Sequence, residues 1–263
     1  AVAGAVLLLT MIVLAALSPI IAPYGFDEQN YEIARQTPSL QHLAGTDELG
    51  RDIFSRILYG GRVSLTIGII SVGIGLIFGG SLGVIAAYYG GVTETVIMRV
   101  IDVLMAIPSI ILSISICAAL GSGIVNTMIA VGISSIPTYA RVFRSSVISE
   151  KSKEYIEAAR AVGAGNARII LKHILPNSIA PVIVQASLGV AQAITTAASL
   201  SFIGLGIQPP NPEWGALLSS GRQYIRDFPH MVVYPGIAIM LTVLALNLIG
   251  DGLRDALDPR LKR

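Results

Sequence analysis

Residues 63–93 read VSLTIGIISVGIGLIFGGSLGVIAAYYGGVT and contain no charged side chain. A helix crosses the hydrocarbon core of a bilayer with about 20 apolar residues. A charge at the middle of such a helix costs about 2.5–3.5 kcal/mol on the insertion scale. Uncharged runs recur over residues 1–26, 103–140, 174–212 and 231–250. The run at 103–140 is too long for one crossing, and Gly121-Ser122-Gly123 splits it into two helices joined by a tight turn. In the fourth run Gly204, Gly206, Pro209 and Pro210 mark the passage from helix to loop. The pattern predicts an all-α, polytopic membrane protein with six spans, at about 2–22, 63–88, 97–119, 124–143, 179–203 and 231–250.

Composition points the same way. Of 263 residues, 53% are hydrophobic and only 13% charged, against roughly 25% charged in an average soluble domain. Sixteen acids and eighteen bases are too few to coat a soluble globule of this size. An ordinary soluble enzyme, a disordered chain and a secreted disulfide scaffold are all disfavoured. A net charge of +2 is too small to suggest nucleic acid as a partner. Cys117, the lone cysteine, cannot form an internal bridge. The first run lacks a basic leader and a small-residue cleavage site, so it reads as a span and not as a signal peptide. The chain starts at Ala1 without methionine, and a short preceding segment is expected. Gly75, Gly79 and Gly83 form a small-residue stripe that lets helices approach closely; packing within one bundle is the expected use.

Basic residues orient the spans. One side holds Arg99, Arg141, Arg144, Lys151, Lys153, Arg160, Arg168, Lys172, Arg254, Arg260, Lys262 and Arg263. The other holds half as many: Arg35, Arg51, Arg56, Arg62, Arg222 and Arg226. Cytoplasmic loops are enriched in Lys and Arg, so the 144–178 loop and the C-terminus are expected in the cytoplasm. The 24–62 and 204–230 loops are expected outside. The organisation read from this is a first span and outer loop over 1–62, five helices over 63–253, and a cytoplasmic tail over 254–263.

Motifs for chemistry are missing. There is no GxxxxGK[ST], HExxH, CxxC or GxSxG, and His42, His173 and His230 are scattered among loops. No catalytic residue, metal ligand or cofactor is expected in this chain. Ion-coupled carriers place ionisable groups near the bilayer midplane, and here the runs are nearly clean. Asp102 lies near the start of the third span, three residues after Arg99, so the two are expected to pair on one helix face. An ion-coupled secondary transporter is therefore the less favoured alternative, and a non-transporting scaffold or receptor is the third. Energy is expected to arrive from a partner.

The segment 150–178, EKSKEYIEAARAVGAGNARIILKHILPNS, has helical periodicity in two pieces. Tyr155, Ala158, Ala159 and Val162 form one stripe; Ile169, Ile170, His173 and Ile174 form the other. Gly163-Ala164-Gly165 breaks the pattern, since glycine reverses a chain tightly. Pro176 is expected to end the second short helix. Such a pair suits a docking groove or, equally, a surface helix parked against lipid. On the opposite side Gly45-Thr46-Asp47 reads as a turn, with Asp47 capping a helix that begins near Gly50. From Arg51 to Arg62 the arginines alternate with Ile53, Phe54, Ile57 and Leu58. That suits a separate helix along the outer membrane boundary. Asp251, Arg254, Asp255 and Asp258 read as helix-end pairs and caps.

Glu157-Ala158-Ala159, then Gly163, then Leu175-Pro176 resembles the EAA motif of ATP-binding-cassette permeases, to within a residue at the far end. Three further stretches resemble the C-type subunits of dipeptide, oligopeptide and nickel permeases. They are His42 to Asp52 with Ser55-Arg56, Gly61-Arg62 and Ser64-Leu65; Leu200 to Gly215; and Gly250 to Arg260. The resemblance implies a type I ABC importer permease fold in the cytoplasmic membrane. It implies a heterodimer with a second permease, two cytoplasmic ATPases that bind ATP and Mg, and an extracytoplasmic substrate-binding protein. Glu157 would be the carboxylate that meets the ATPase, Ala158 and Ala159 would allow close approach, and Gly163 would make the bend. Gln208, Pro209, Pro210, Glu213 and Trp214 would form either a structural collar or a rim for the binding protein, with Trp214 at interfacial depth. Di- and oligopeptides are the implied substrates, with a nickel chelate, glutathione or an oligosaccharide as alternatives.

Overall fold

The computed structural model describes residues 1–257; the basic residues and caps read at Asp258, Arg260, Lys262 and Arg263 lie outside the described residues. The described chain is helical apart from its loops and one antiparallel bridge between Thr46 and Asp52. Helix α1 is Val2–Ala16 and is followed by a further turn, Ser18–Ile21. Helix α2 is Ile53–Tyr89, α3 is Gly91–Met105 and α4 is Ser109–Leu120. Helix α5 is Ile124–Lys151, α6 is Glu154–Ala161 and α7 is Asn166–Phe202. Helices α8, Trp214–Gly221, and α9, His230–Leu257, complete the bundle.

By length and apolarity α2, α7 and α9 qualify as spans, and the pair α3–α4 makes a fourth if it counts as one. Helix α1 is apolar but has only 15 residues. The expected single helix at 97–119 is instead broken, with α3 and α4 meeting at 86°. Pro108 explains the break: it disfavours helical geometry at Ile107 and has no N–H to continue the ladder.

Three other expectations are corrected. The boundary helix over 51–62 is not separate: from Ile53 it forms the first turns of α2, which runs 37 residues with a π-helical turn at Gly75–Gly79. Its cap is Asp52, whose carboxylate accepts from Ser55 N at 2.7 Å. Asp47 instead binds Arg51 Nε at 2.6 Å and lies 3.6 Å from Arg56 Nε. These arginines are buried against an aspartate and do not face the membrane boundary. Pro176 does not end a helix either; it sits in the first turn of Leu175–Phe202, directly after a π-helical turn at Ile169–Ile174. The wider turn takes up the ladder position that a proline leaves empty. Lastly, Asp102 pairs across helices with Arg141 at 2.7 Å, not with Arg99.

The glycine stripe sets a tight contact between α2 and α5. Around Gly75, Gly79 and Gly83 of α2 lie Ser135, the carbonyl of Ile136 and the carbonyl of Ala140 from α5, each where a Cβ would sit. The two helices therefore touch backbone to backbone. One core cluster joins α2, α4, α5 and α7 through Ile67, Cys117, Val131, Tyr139 and Leu200. Another joins α1, α2, α7, α8 and α9 through Ala15, Leu65, Ile194, Trp214 and Leu246. The 24–52 segment packs at the Ile53 end of α2, and the loop between α5 and α7 packs at the Tyr88 end. At 1.5 Å per residue these ends are about 54 Å apart.

Replacing Gly79 by valine should force α2 off α5 and destabilise the protein by about 1–3 kcal/mol, read as a lower Tm in detergent. Gly73, which faces open space, should accept alanine with no loss. Equal Tm values for the two variants would contradict the backbone contact.

Candidate functional site

Helix α6 begins after Lys153 and carries Glu154 and Glu157 in its first turn and Arg160 in its last. Both placements favour the helix dipole. Its end is sealed by two hydrogen bonds: Gly163 N donates to Arg160 O at 2.9 Å, and Ala164 N donates to Ala159 O at 3.0 Å. With Gly163 at φ 80°, this is a Schellman cap, which calls for glycine at the left-handed position. Space is open around Gly163, so the demand is on backbone geometry alone.

Only Ile156 of α6 is fully buried, at 0% exposure. It packs with Ile169 and Ile174 against Val84, Tyr88, Phe143, Val147 and Val182. The other stripe turns outward: Val162 is 85% exposed, and Glu157, Ala158 and Gly163 are exposed as well. Ala159 and Leu175 are half-buried and Pro176 is exposed. The carboxylate and one alanine of the motif are thus presented to the surroundings, while the helix's single apolar anchor roots it in the bundle.

Polar contacts that the sequence reading missed fix this element in place. Glu150, at the end of α5, accepts from Lys153 Nζ at 2.6 Å and from Tyr155 Oη at 2.7 Å. Tyr88 Oη donates to Asn166 Oδ1 at 2.8 Å. Lys151 Nζ donates to the Tyr88 carbonyl at 2.6 Å, and the Arg160 guanidinium lies 5.7 Å from the centre of the Tyr88 ring. The last turn of α2 is therefore the socket for the loop. A tyrosine pair closing an apolar run, Tyr88-Tyr89, was the available signal. Burial alone would raise the Glu150 carboxyl, but the bonds from Lys153 and Tyr155 and the Lys153 charge outweigh it and hold it below 4.5.

At the opposite end, the expected rim divides in two. Gln208, Pro209 and Pro210 are exposed, and Gln208 Nε2 donates to Gly204 O at 2.9 Å. Glu213 and Trp214 are each 1% exposed and present no surface. Glu213 caps α8, accepting from Gly215 N and Ala216 N at 2.9 Å each and from Ser64 Oγ at 3.3 Å. Its burial pushes the carboxyl up, against the pull of those donors. Trp214 Nε1 donates to Ile57 O at 2.9 Å. The indole sits inside the bundle, not at an interface, because it locks α8 onto α2. No cluster of potential metal ligands occurs among the described residues.

The lowered value of Glu150 has a defined sign. The ionised carboxylate stabilises the folded junction above the ordinary carboxylate pKa, and that contribution is lost as pH falls through the lowered one. The protection factors of the amides in residues 152–165, taken relative to intrinsic exchange at each pH, should therefore fall as pH drops through and below the ordinary carboxylate range. Glu150→Gln should exchange faster at neutral pH and lose this dependence. A variant indistinguishable from wild type would contradict the role given to Glu150.

Residues 79–263 match the family model described as binding-protein-dependent transport system inner membrane component. Residues 1–39 match the N-terminal TM domain of oligopeptide transport permease C. The chain is 49% identical over 262 residues to the dipeptide transport system permease protein DppC of Alkalihalophilus pseudofirmus, covering 100% of this chain and 86% of that protein. It is 48% identical over 263 residues to the glutathione transport system permease protein GsiD of Pectobacterium atrosepticum, covering 100% of this chain and 87% of that protein. Among solved structures, the inward-facing MetNI methionine ABC transporter superposes with a TM-score of 0.64 at 18% identity, over 77% of this chain and 96% of that one. An all-helical bundle, a displayed EAA loop and these relatives converge: the chain belongs to the binding-protein-dependent transport system inner membrane components, the membrane-embedded permeases of ABC importers.

Proposed function

We propose that the chain is one half of the membrane channel of an ATP-driven importer of di- and oligopeptides, working as a heterodimer with a second permease. The relatives support this substrate class: DppC is named for dipeptides and GsiD for glutathione, itself a small peptide. In this reading α1, α2, the α3–α4 pair, α5, α7 and α9 make six crossings. The α5–α7 loop and the C-terminus face the cytoplasm, where basic residues are densest. The machinery is completed by two ATPases, which bind ATP and Mg, and by a substrate-binding protein that meets the exposed Gln208-Pro209-Pro210 corner.

One observation carries the coupling role: Glu157 and Ala158 are displayed on a short helix whose own side of the bundle is held by Ile156 and Glu150. A lever needs a free face for its driver and a rigid root in the driven body. When the ATPases approach each other, a socket gripping Glu157, Ala158, Ala159 and Gly163 would move α6, and with it the ends of α2, α5 and α7. Alternating access follows provided nucleotide and substrate each bind the two states unequally. Leu175 and Pro176 would serve as the stiff step from the lever into α7.

Glu157→Lys places the wrong charge on the displayed face, and Gly163→Val puts a β-branched residue at φ 80°. Each should reduce co-purification of the ATPases by about tenfold or more, the effect of about 1.4 kcal/mol, with membrane insertion unchanged. Retained ATPase in both variants would refute this docking surface.

A further inference from the structure

Polar side chains within membrane-crossing helices avoid lipid and turn toward the bundle interior or a water-filled path. Helices α5 and α7 carry more of them than packing uses. On α7, Gln185, Gln192 and Thr196 follow one another at seven and four residues. On α5, Ser134 and Thr138 are four apart. Such spacings put each set on one helix face. The two faces look at each other across a cavity of about 270 Å³. Its lining contains no Asp, Glu, Lys or Arg.

The hydrogen bonds separate structural from spare groups. Ser134 Oγ donates to Val131 O at 2.9 Å and accepts from Ser113 Oγ at 2.9 Å. Thr196 Oγ1 donates to Gln192 O at 2.9 Å. Among the described residues, Thr138 and the Gln185 amide have no hydrogen-bond partner in the protein, Gln192 Nε2 makes a long bond to Thr196 Oγ1 at 3.4 Å, and Thr138 and Gln192 are exposed. The floor is Tyr139, 1% exposed, whose hydroxyl has no partner. That hydroxyl lies against Gly189, where no Cβ would fit. A buried hydroxyl without a partner is costly to leave unpaired. Toward α6 a second cavity of about 430 Å³ opens between the same helices, lined by Ser145, Ser149, Asn177, Ser178 and the charged Glu150; the uncharged seam is the first cavity alone.

We propose that this neutral seam is the part of the translocation path built by the chain, with Thr138, Gln185 and Gln192 forming a subsite for the backbone amides of a peptide in transit. The proposal rests on the peptide-import reading above. A glutamine side chain both donates and accepts, so it matches a peptide C=O and N–H whatever the neighbouring side chains are. A wall without charges holds no terminus tightly enough to trap it. The seam lies between the two helices that flank α6, so a shift of the lever changes its width.

The test uses the full importer complex in proteoliposomes. Gln192→Leu and Gln185→Leu should leave subunit assembly and ATP hydrolysis intact while lowering uptake about tenfold, the equivalent of one hydrogen bond lost at the barrier. The loss should be similar across dipeptides with different side chains, and Gln192→Asn should restore part of it. Unchanged uptake, or a loss that accompanies failed assembly, overturns the subsite. A Gln192→Cys variant gives a readout independent of substrate, because the native Cys117 is buried. Its labelling by a water-soluble thiol reagent, reduced by dipeptide during turnover, supports the seam as the path. No labelling overturns the path even with peptide uptake intact, whereas labelling in a complex that imports no peptide overturns the peptide reading and with it the ligand of this subsite.

Discussion

A carbonyl of α5 lies where a side chain of α2 would otherwise be. That contact, repeated at Gly79 and Gly83, brings two long helices close enough to behave as one body. Lipid offers no hydrophobic drive for helices to associate, so close van der Waals packing has to do it. The consequence reaches both ends. At the Tyr88 end the joined helices present a shared socket of Val84, Tyr88, Phe143 and Val147, and α6 is rooted in it by Ile156. At the Ile53 end the same α2 carries the buried Asp47–Arg51 pair and the indole of Trp214. The two ends are joined by one helix of about 54 Å, with a π-helical turn at Gly75–Gly79 where it packs on α5.

Charge is confined to places where it can be neutralised. Arg51 and Arg56 are buried, but Asp47 and the Phe26 carbonyl receive them. Asp102 and Glu94 of α3 meet Arg141 and Arg144 of α5. These pairs tie the bent α3 to the stretch of α5 that ends at Glu150. Between the two ends, the cavity shared by α5 and α7 is lined by polar and apolar side chains and by no charged one. A neutral wall suits passage of a zwitterion better than binding of one, since a full charge in low dielectric holds its counter-charge firmly.

The sequence reading was strongest where a rule had one competitor and weakest where tertiary partners changed the terms. Apolar runs located α2, α7 and α9 because hydrocarbon demands them. The bend was legible because Gly163-Ala164-Gly165 interrupts the helical pattern, and the resemblance to the EAA motif picked out Gly163 within it. The 51–62 helix was misread as separate because its arginines argue against burial until Asp47 is seen beside them. Pro176 was misread as a terminator because a π turn upstream, invisible in sequence, absorbs its missing donor. Trp214 and Glu213 looked like surface residues of a proline-rich corner, yet Ile57 O and Ser64 draw them inward. Glu150 escaped notice because its partners, Lys153 and Tyr155, lie across a helix end that local pattern does not connect.

The same contrast explains why α5 is less apolar than its neighbours. A helix packed on α2 through glycine and on α7 through a cavity has little lipid contact left to satisfy, so serines and threonines are tolerated along it. Their hydroxyls can return to the carbonyls of the preceding turn, as Ser134 and Ser135 do, which keeps the helix stable while its surface stays hydrophilic. The glutamines of the facing helix are less fully returned: Gln192 Nε2 makes a long bond to Thr196 Oγ1 at 3.4 Å. Gln185 and Gln192 on the facing helix are therefore the costlier choice, and packing gives no reason for them. Set opposite a hydroxyl stripe, they leave hydrogen-bonding groups facing the cavity between the two helices, which is the feature the proposed peptide subsite is built on.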